Sequence, residues 1–131
     1  MTVYARKDYL PEPGEVVEDN LLIREDKNPN SHGVHAMFGD LPWSAGNGHD
    51  LVLVWGDNAD CTSFGNAKVI QLASFDMPQE RHADVLIPIS TTFERSGSFT
   101  NFEGKVNRFS KVFEKPGLVQ HAGDVFGRLG A

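Results

Sequence analysis

Three short apolar runs in the middle of the chain limit its fold more than any other feature: Leu51 to Trp55 (LVLVW), Ala67 to Phe75 (AKVIQLASF) and Asp84 to Ile89 (DVLIPI). Each is short for a core helix and is bounded by turn residues, so each reads as a strand. The first is uninterrupted and closes on Gly56-Asp57-Asn58, the pattern of a strand buried on both faces and ended by a turn. Pro88 confines the third to a sheet edge or to its own end, because proline has no N–H to donate to a ladder. Between the second and third runs lies DMPQERHA, where Asp76 can cap and Pro78 suits a first helical turn. Strand, link, strand, short helix, strand predicts an α/β fold with part of a parallel sheet. The link from Gly56 to Asn66 is short for a crossover but has room for a turn of helix.

The flanks read differently. YLPEPGE sets two prolines around Glu12, and Asn28-Pro29-Asn30 followed by Ser31-His32-Gly33 reads as a turn and a helix cap. GVHAMFGDLPW has the length of one or two helical turns before Pro42, and SAGNGHD is a loop. Nothing here makes a core of its own, so this part is expected to wrap over something else. After Ser90, FERSGSFTNFEGKVNRFSKVF sets Gly97 and Gly104 at turns between β-favouring residues, which predicts an antiparallel ribbon. The tail is expected to close with a helix starting near Gln120. At 131 residues the chain is expected to be one domain. Residues 1–49 would be an irregular linking segment, 50–90 the α/β core, 91–118 the ribbon and 119–131 the tail.

Composition removes several function classes. Hydrophobic residues make up 40%, which is globular, and the net charge of −6 with no cluster of Lys and Arg argues against a nucleic-acid partner. No run approaches the length of about eighteen apolar residues that a membrane span needs. MTVYARKDYLPEPGE has no apolar stretch of the secretion type, so a cytoplasmic location is expected. A single cysteine, Cys61, makes no internal disulfide and holds no iron–sulfur cluster.

Candidate sites are few. His32 and His35 are three apart and would share a helical face that could take a metal, but no carboxylate or thiol completes the set. Gly33 between them also weakens the helix, and surface or packing histidines are the better reading; no metal is expected. Cys61 follows the strand-end loop GDNADC, with His82 the only base that can be placed even loosely nearby; an incidental thiol is favoured. Gly56-Asp57-Asn58 ends a parallel strand, where a glycine turn can bring backbone N–H groups close to a ligand and an Asp can accept from a ribose or a guanine. From these three residues alone a plain tight turn is the favoured reading. Glu94 and Glu103 flank Gly97 and could be imagined as an acid and base, but Arg95 and Arg108 are close enough to neutralise them, and a salt-bridged ribbon is preferred.

The stretch ADVLIPISTTFERSGSFTNFEGKVNRF, Ala83 to Phe109, closely resembles a motif of the molybdopterin oxidoreductase superfamily. There an ADVVLP strand is followed by E(R/K)-x-G-(T/S)-(F/Y)-x-N-x-EGR. Ala83, Asp84 and Pro88 match the strand; Glu94, Gly97, Asn101, Glu103 and Gly104 match the ribbon, with Lys105 where Arg is usual. LVLVWGDN resembles the preceding nucleotide-fold strand. LIREDKNPNSHGVHAMFG resembles the linking segment before this domain in the large (G-type) subunit of NADH-quinone oxidoreductase, respiratory complex I.

That branch kept the fold of a molybdenum enzyme but generally lost its cofactor, and its iron–sulfur clusters lie in a part this chain does not contain. The resemblance therefore implies a non-catalytic accessory subunit or C-terminal piece that completes or caps the large-subunit fold, with no cofactor in this chain. Its partners would be other subunits of a membrane-associated respiratory or related oxidoreductase complex, or further copies of itself, and it would reach the inner membrane only through them. The ribbon residues would serve geometry: glycines for turns or close approach, Asn101 and Glu103 for satisfying backbone groups. The alternative is a module that holds molybdopterin guanine dinucleotide, or a relic nucleotide, through Gly56, Asp57, Asn58, Ser74 and Asp76. A third reading is a small independent enzyme using Cys61 or the histidines.

Overall fold

The computed structural model describes residues 2–5, 12–21, 23–26, 28, 30–39, 41–42, 48–57, 61–75 and 83–130. In chain order its elements are β1 (Tyr4–Ala5), α1 (Ser31–Phe38), β2 (Leu41–Pro42), β3 (Leu51–Trp55), a 3-10 turn (Cys61–Phe64), β4 (Lys68–Ala73), β5 (Val85–Pro88), a second 3-10 turn (Thr92–Glu94), β6 (Gly97–Thr100), β7 (Val106–Phe109) and α2 (Ala122–Leu129). They form two compact units: Met1–Trp43 with Gly97–Phe109, and Ser44–Ser96 with Ser110–Ala131. The mixed α/β class expected from the sequence is what the chain adopts, a three-stranded parallel sheet with a separate antiparallel pair.

In the sheet-bearing unit the strand order is β3-β4-β5, all parallel, with Leu53 beside Ile70 and Leu72 beside Ile87. Paired residues of a parallel ladder share a face, so Leu53, Ile70, Leu72 and Ile87 form one apolar surface. Onto it α2 packs Ala122 and Val125, enclosing Leu72 and Ile89, with Phe126 at the margin. Two turns containing Gly123 and Gly127 would not hold as a free helix, so tertiary packing holds α2. Asp124 in its first turn and Arg128 in its last also suit the helix dipole. A parallel bridge between Ile89 and Gln120 brings the helix to the sheet: the Ser90 N–H donates to the Gln120 carbonyl at 2.8 Å, and the Gln120 N–H donates to the Pro88 carbonyl at 3.0 Å.

Two expectations about these strands come out differently. The strand buried on both faces is β4, where Val69, Gln71, Leu72 and Ala73 are buried, and not β3, whose Leu51 and Trp55 are 60% and 54% exposed. An unbroken apolar run says that a strand can be covered, while its place in the sheet decides whether it is; among the described residues β3 has a neighbour on one side only. Pro88 satisfies both of its allowed positions, as the last residue of β5 and on a strand that among the described residues has a neighbour on one side only. The expected helical turn in the first link is the 3-10 turn at Cys61, while DMPQER and His82 lie outside the described residues.

In the other unit β1 and β2 form a short parallel pair, and β6 and β7 an antiparallel ribbon with Gly97 opposite Phe109 and Thr100 opposite Val106. Its turn is built by Asn101, whose side-chain oxygen accepts the N–H groups of Glu103 (3.1 Å) and Lys105 (2.8 Å), and Gly104 lies in that turn. Gly97 does not sit at a turn. It opens β6, where a Cβ would come within 2.9 Å of the Phe109 ring, so it serves close approach instead. Residues 91–96 and 110–118 fall in the sheet-bearing unit.

Helix α1 begins after Asn30, as the sequence suggests, and stops at Gly39, whose N–H reaches the His35 carbonyl at 2.8 Å. The Asn30 side chain does not cap its own helix; its oxygen accepts the Thr100 N–H of β6 at 2.8 Å. Gly33 is thus a spatial requirement, since a Cβ there would stand 2.5 Å from that same oxygen. Gly33→Ala should gain about 1 kcal/mol in helix propensity. It should lose more by displacing Asn30 and stranding the Thr100 amide, at about 1–3 kcal/mol. A lowered urea midpoint is expected, and a raised one would mean that the Asn30 bridge contributes nothing.

Candidate functional site

Of the residues expected to contact a nucleotide, Gly56, Asp57 and Ser74 gather at the C-terminal ends of β3 and β4, the edge at which parallel sheets bind ligands. Gly56 leaves β3 with φ of +146°, its N–H bonded to the Leu72 carbonyl at 3.0 Å and its carbonyl accepting from Gln71 Nε2 at 3.1 Å. Asp57 Oδ1 accepts two backbone N–H groups at once, Ser74 at 2.7 Å and Phe75 at 3.0 Å. These groups are therefore committed to closing the two strand ends onto one another. Asn58 and Asp76, the other members of the expected set, lie outside the described residues. Gly56, Asp57 and Ser74 do come together, and they come together as a clasp.

The ribbon motif has the same character. Asp84 stands just before β5 and reaches back to β4, accepting the Val69 N–H at 2.8 Å and pairing with Lys68 Nζ at 2.7 Å. It extends the β4–β5 ladder by one side-chain rung and so fixes where the third strand starts. Ala83 precedes it half-buried. Glu94 closes a capping box with Thr91, taking the Thr91 N–H at 2.9 Å. Glu103 is exposed in the ribbon turn. Glu94 and Glu103 fall in different units, and among the described residues neither is ion-paired to Arg95 or Arg108, so the salt-bridged ribbon expected from the sequence is not what forms. Arg95 instead lies 5.9 Å over the Trp55 ring.

Lys68 and Lys111 shift the carboxylates they meet. The hydrogen bond from Lys68, then that from Val69, holds Asp84 below its ordinary 3.8, and Lys111 lowers Glu114 in the same way. Lys68 is raised above 10.5 by Asp84. A depressed carboxylate stabilises the fold above its unfolded value and loses that contribution as pH falls through the folded value; for Lys68 the contribution is present below 10.5 and lost as pH rises past its raised value. Asp84→Asn should thus be less stable than the parent at neutral pH, by a margin that closes as acid protonates Asp84 in the parent. Urea unfolding from neutral to acid pH measures it, and a margin constant with pH would assign Asp84 to packing alone.

The remaining candidates are dispersed. Cys61 is buried with Sγ 3.8 Å from Gln71 Oε1, an environment of an inert thiol, and His82 lies outside the described residues. His32 and His35 are exposed on α1, and among the described residues no three His, Cys, Asp or Glu side chains converge as metal ligands would. Sequence reading missed the buried Gln71, which ties the 3-10 turn and Gly56 to β4, and the bond of 2.8 Å between Ser90 Oγ and His121 Nδ1. Ser90 is 1% exposed, so this pair joins β5 to α2 with its hydroxyl sealed from any substrate. An apolar strand reading gave no signal for a lone glutamine inside it.

The family model for molybdopterin oxidoreductase matches residues 58–130, more than half of the chain and the whole of the Ala83–Phe109 motif. No curated protein and no solved structure matches the chain.

Proposed function

This chain belongs to the molybdopterin oxidoreductase family, and from that premise we propose that it is a non-catalytic structural subunit, or C-terminal piece, of an electron-transfer complex of the NADH:quinone oxidoreductase type. There it completes or caps the fold of a longer chain that corresponds to the large subunit of that enzyme. The observation that carries this reading is the apolar surface left outside the core. No described residue of the unit formed by 1–43 and 97–109 is fully buried, and Met37 and Phe38 stand exposed on α1. In the other unit Phe93, Val112 and Phe113 are exposed together, held by two N–H groups on the single Phe93 carbonyl, and Leu118 is 88% exposed. Ordered apolar side chains of this number suit a protein–protein interface.

The resemblance of LIREDKNPNSHGVHAMFG and LVLVWGDN to the complex I branch supports the finer assignment. The clasp at Asp57 and the capping box at Glu94 support a structural role, because their polar atoms serve the chain's own backbone. Among the described residues no helix is long and apolar enough to cross a membrane, so attachment to one is proposed to run through partner subunits. No cofactor is proposed for this chain. The alternative, molybdopterin guanine dinucleotide held at the β3 and β4 ends, would need donors beyond the committed groups of Gly56, Asp57 and Ser74.

Native mass spectrometry of the protein isolated gently from its own cells tests the reading. The expected mass is this chain with larger subunits. A free chain carrying the added mass of a pterin nucleotide would replace the structural role with a cofactor-binding one.

A further inference from the structure

We draw no further inference here: the strongest candidate, the cleft at the start of α1 lined by Arg24, Asn28, Ser31, His32 and Thr100, rests on a helix N-terminus alone, since each of those side chains is half-buried or exposed and no second observation marks a ligand there.

Discussion

Leu72→Ala should lower the free energy of unfolding by about 3 kcal/mol, within the 2–5 kcal/mol range of leucine truncations in well-packed cores. Leu72 is 0% exposed and lies where β4, Ile89 and both buried residues of α2 meet. Removing its side chain leaves a void that Ala122 and Val125 cannot fill, because α2 is tied to the β5 end by the Gln120 bridge and cannot slide inward. The effect is large in proportion as well, since domains keep a margin of only about 5–15 kcal/mol. Val85→Ala provides the comparison: Val85 is in the same sheet but 49% exposed, and a change under about 1 kcal/mol is expected there. Urea unfolding followed by circular dichroism measures both. Equal effects at the two positions would mean that α2 does not cover the sheet.

The contrast between β3 and β4 shows how far a single sequence carries. All three strands, their parallel direction, the 3-10 turn and the closing helix were legible because turn residues and apolar runs are local signals. Which strand is central was not legible, since LVLVW is more uniformly apolar than KVIQLA and yet, among the described residues, lies at the edge. Burial depends on neighbours that local pattern does not encode. The two glycines of the ribbon make the same point at smaller scale. Gly104 lies in a turn and reads as one. Gly97 and Gly33 are required by the Phe109 ring and the Asn30 oxygen, one across the ribbon and the other a turn away through a side chain that bonds β6. The motif residues were legible as a set, but what each one holds was not: Asp84 reaches back to Val69, and Asp57 to Ser74 and Phe75, across fifteen or more residues of chain.

Asp57→Ala should cost about 2 kcal/mol, because one carboxylate oxygen satisfies two backbone N–H groups and hydrogen bonds to charged groups are worth about 1.5–3 kcal/mol. The Ser74 amide is part-buried and would carry most of the loss, while the Phe75 amide is exposed and can turn to water. With a urea slope of about 1–3 kcal/mol per molar, the midpoint should move by roughly 1 M. Asp57→Asn keeps an acceptor in place without the charge and should recover about half of the loss. That graded order, parent above Asn above Ala, is the signature of a backbone clasp. A carboxylate held for a ligand would behave otherwise: its removal would leave the stability of the isolated chain near that of the parent and abolish an added pterin mass instead. The two variants therefore decide whether the end of β3 closes the fold or receives a nucleotide, and the paired N–H groups at 2.7 and 3.0 Å favour closure.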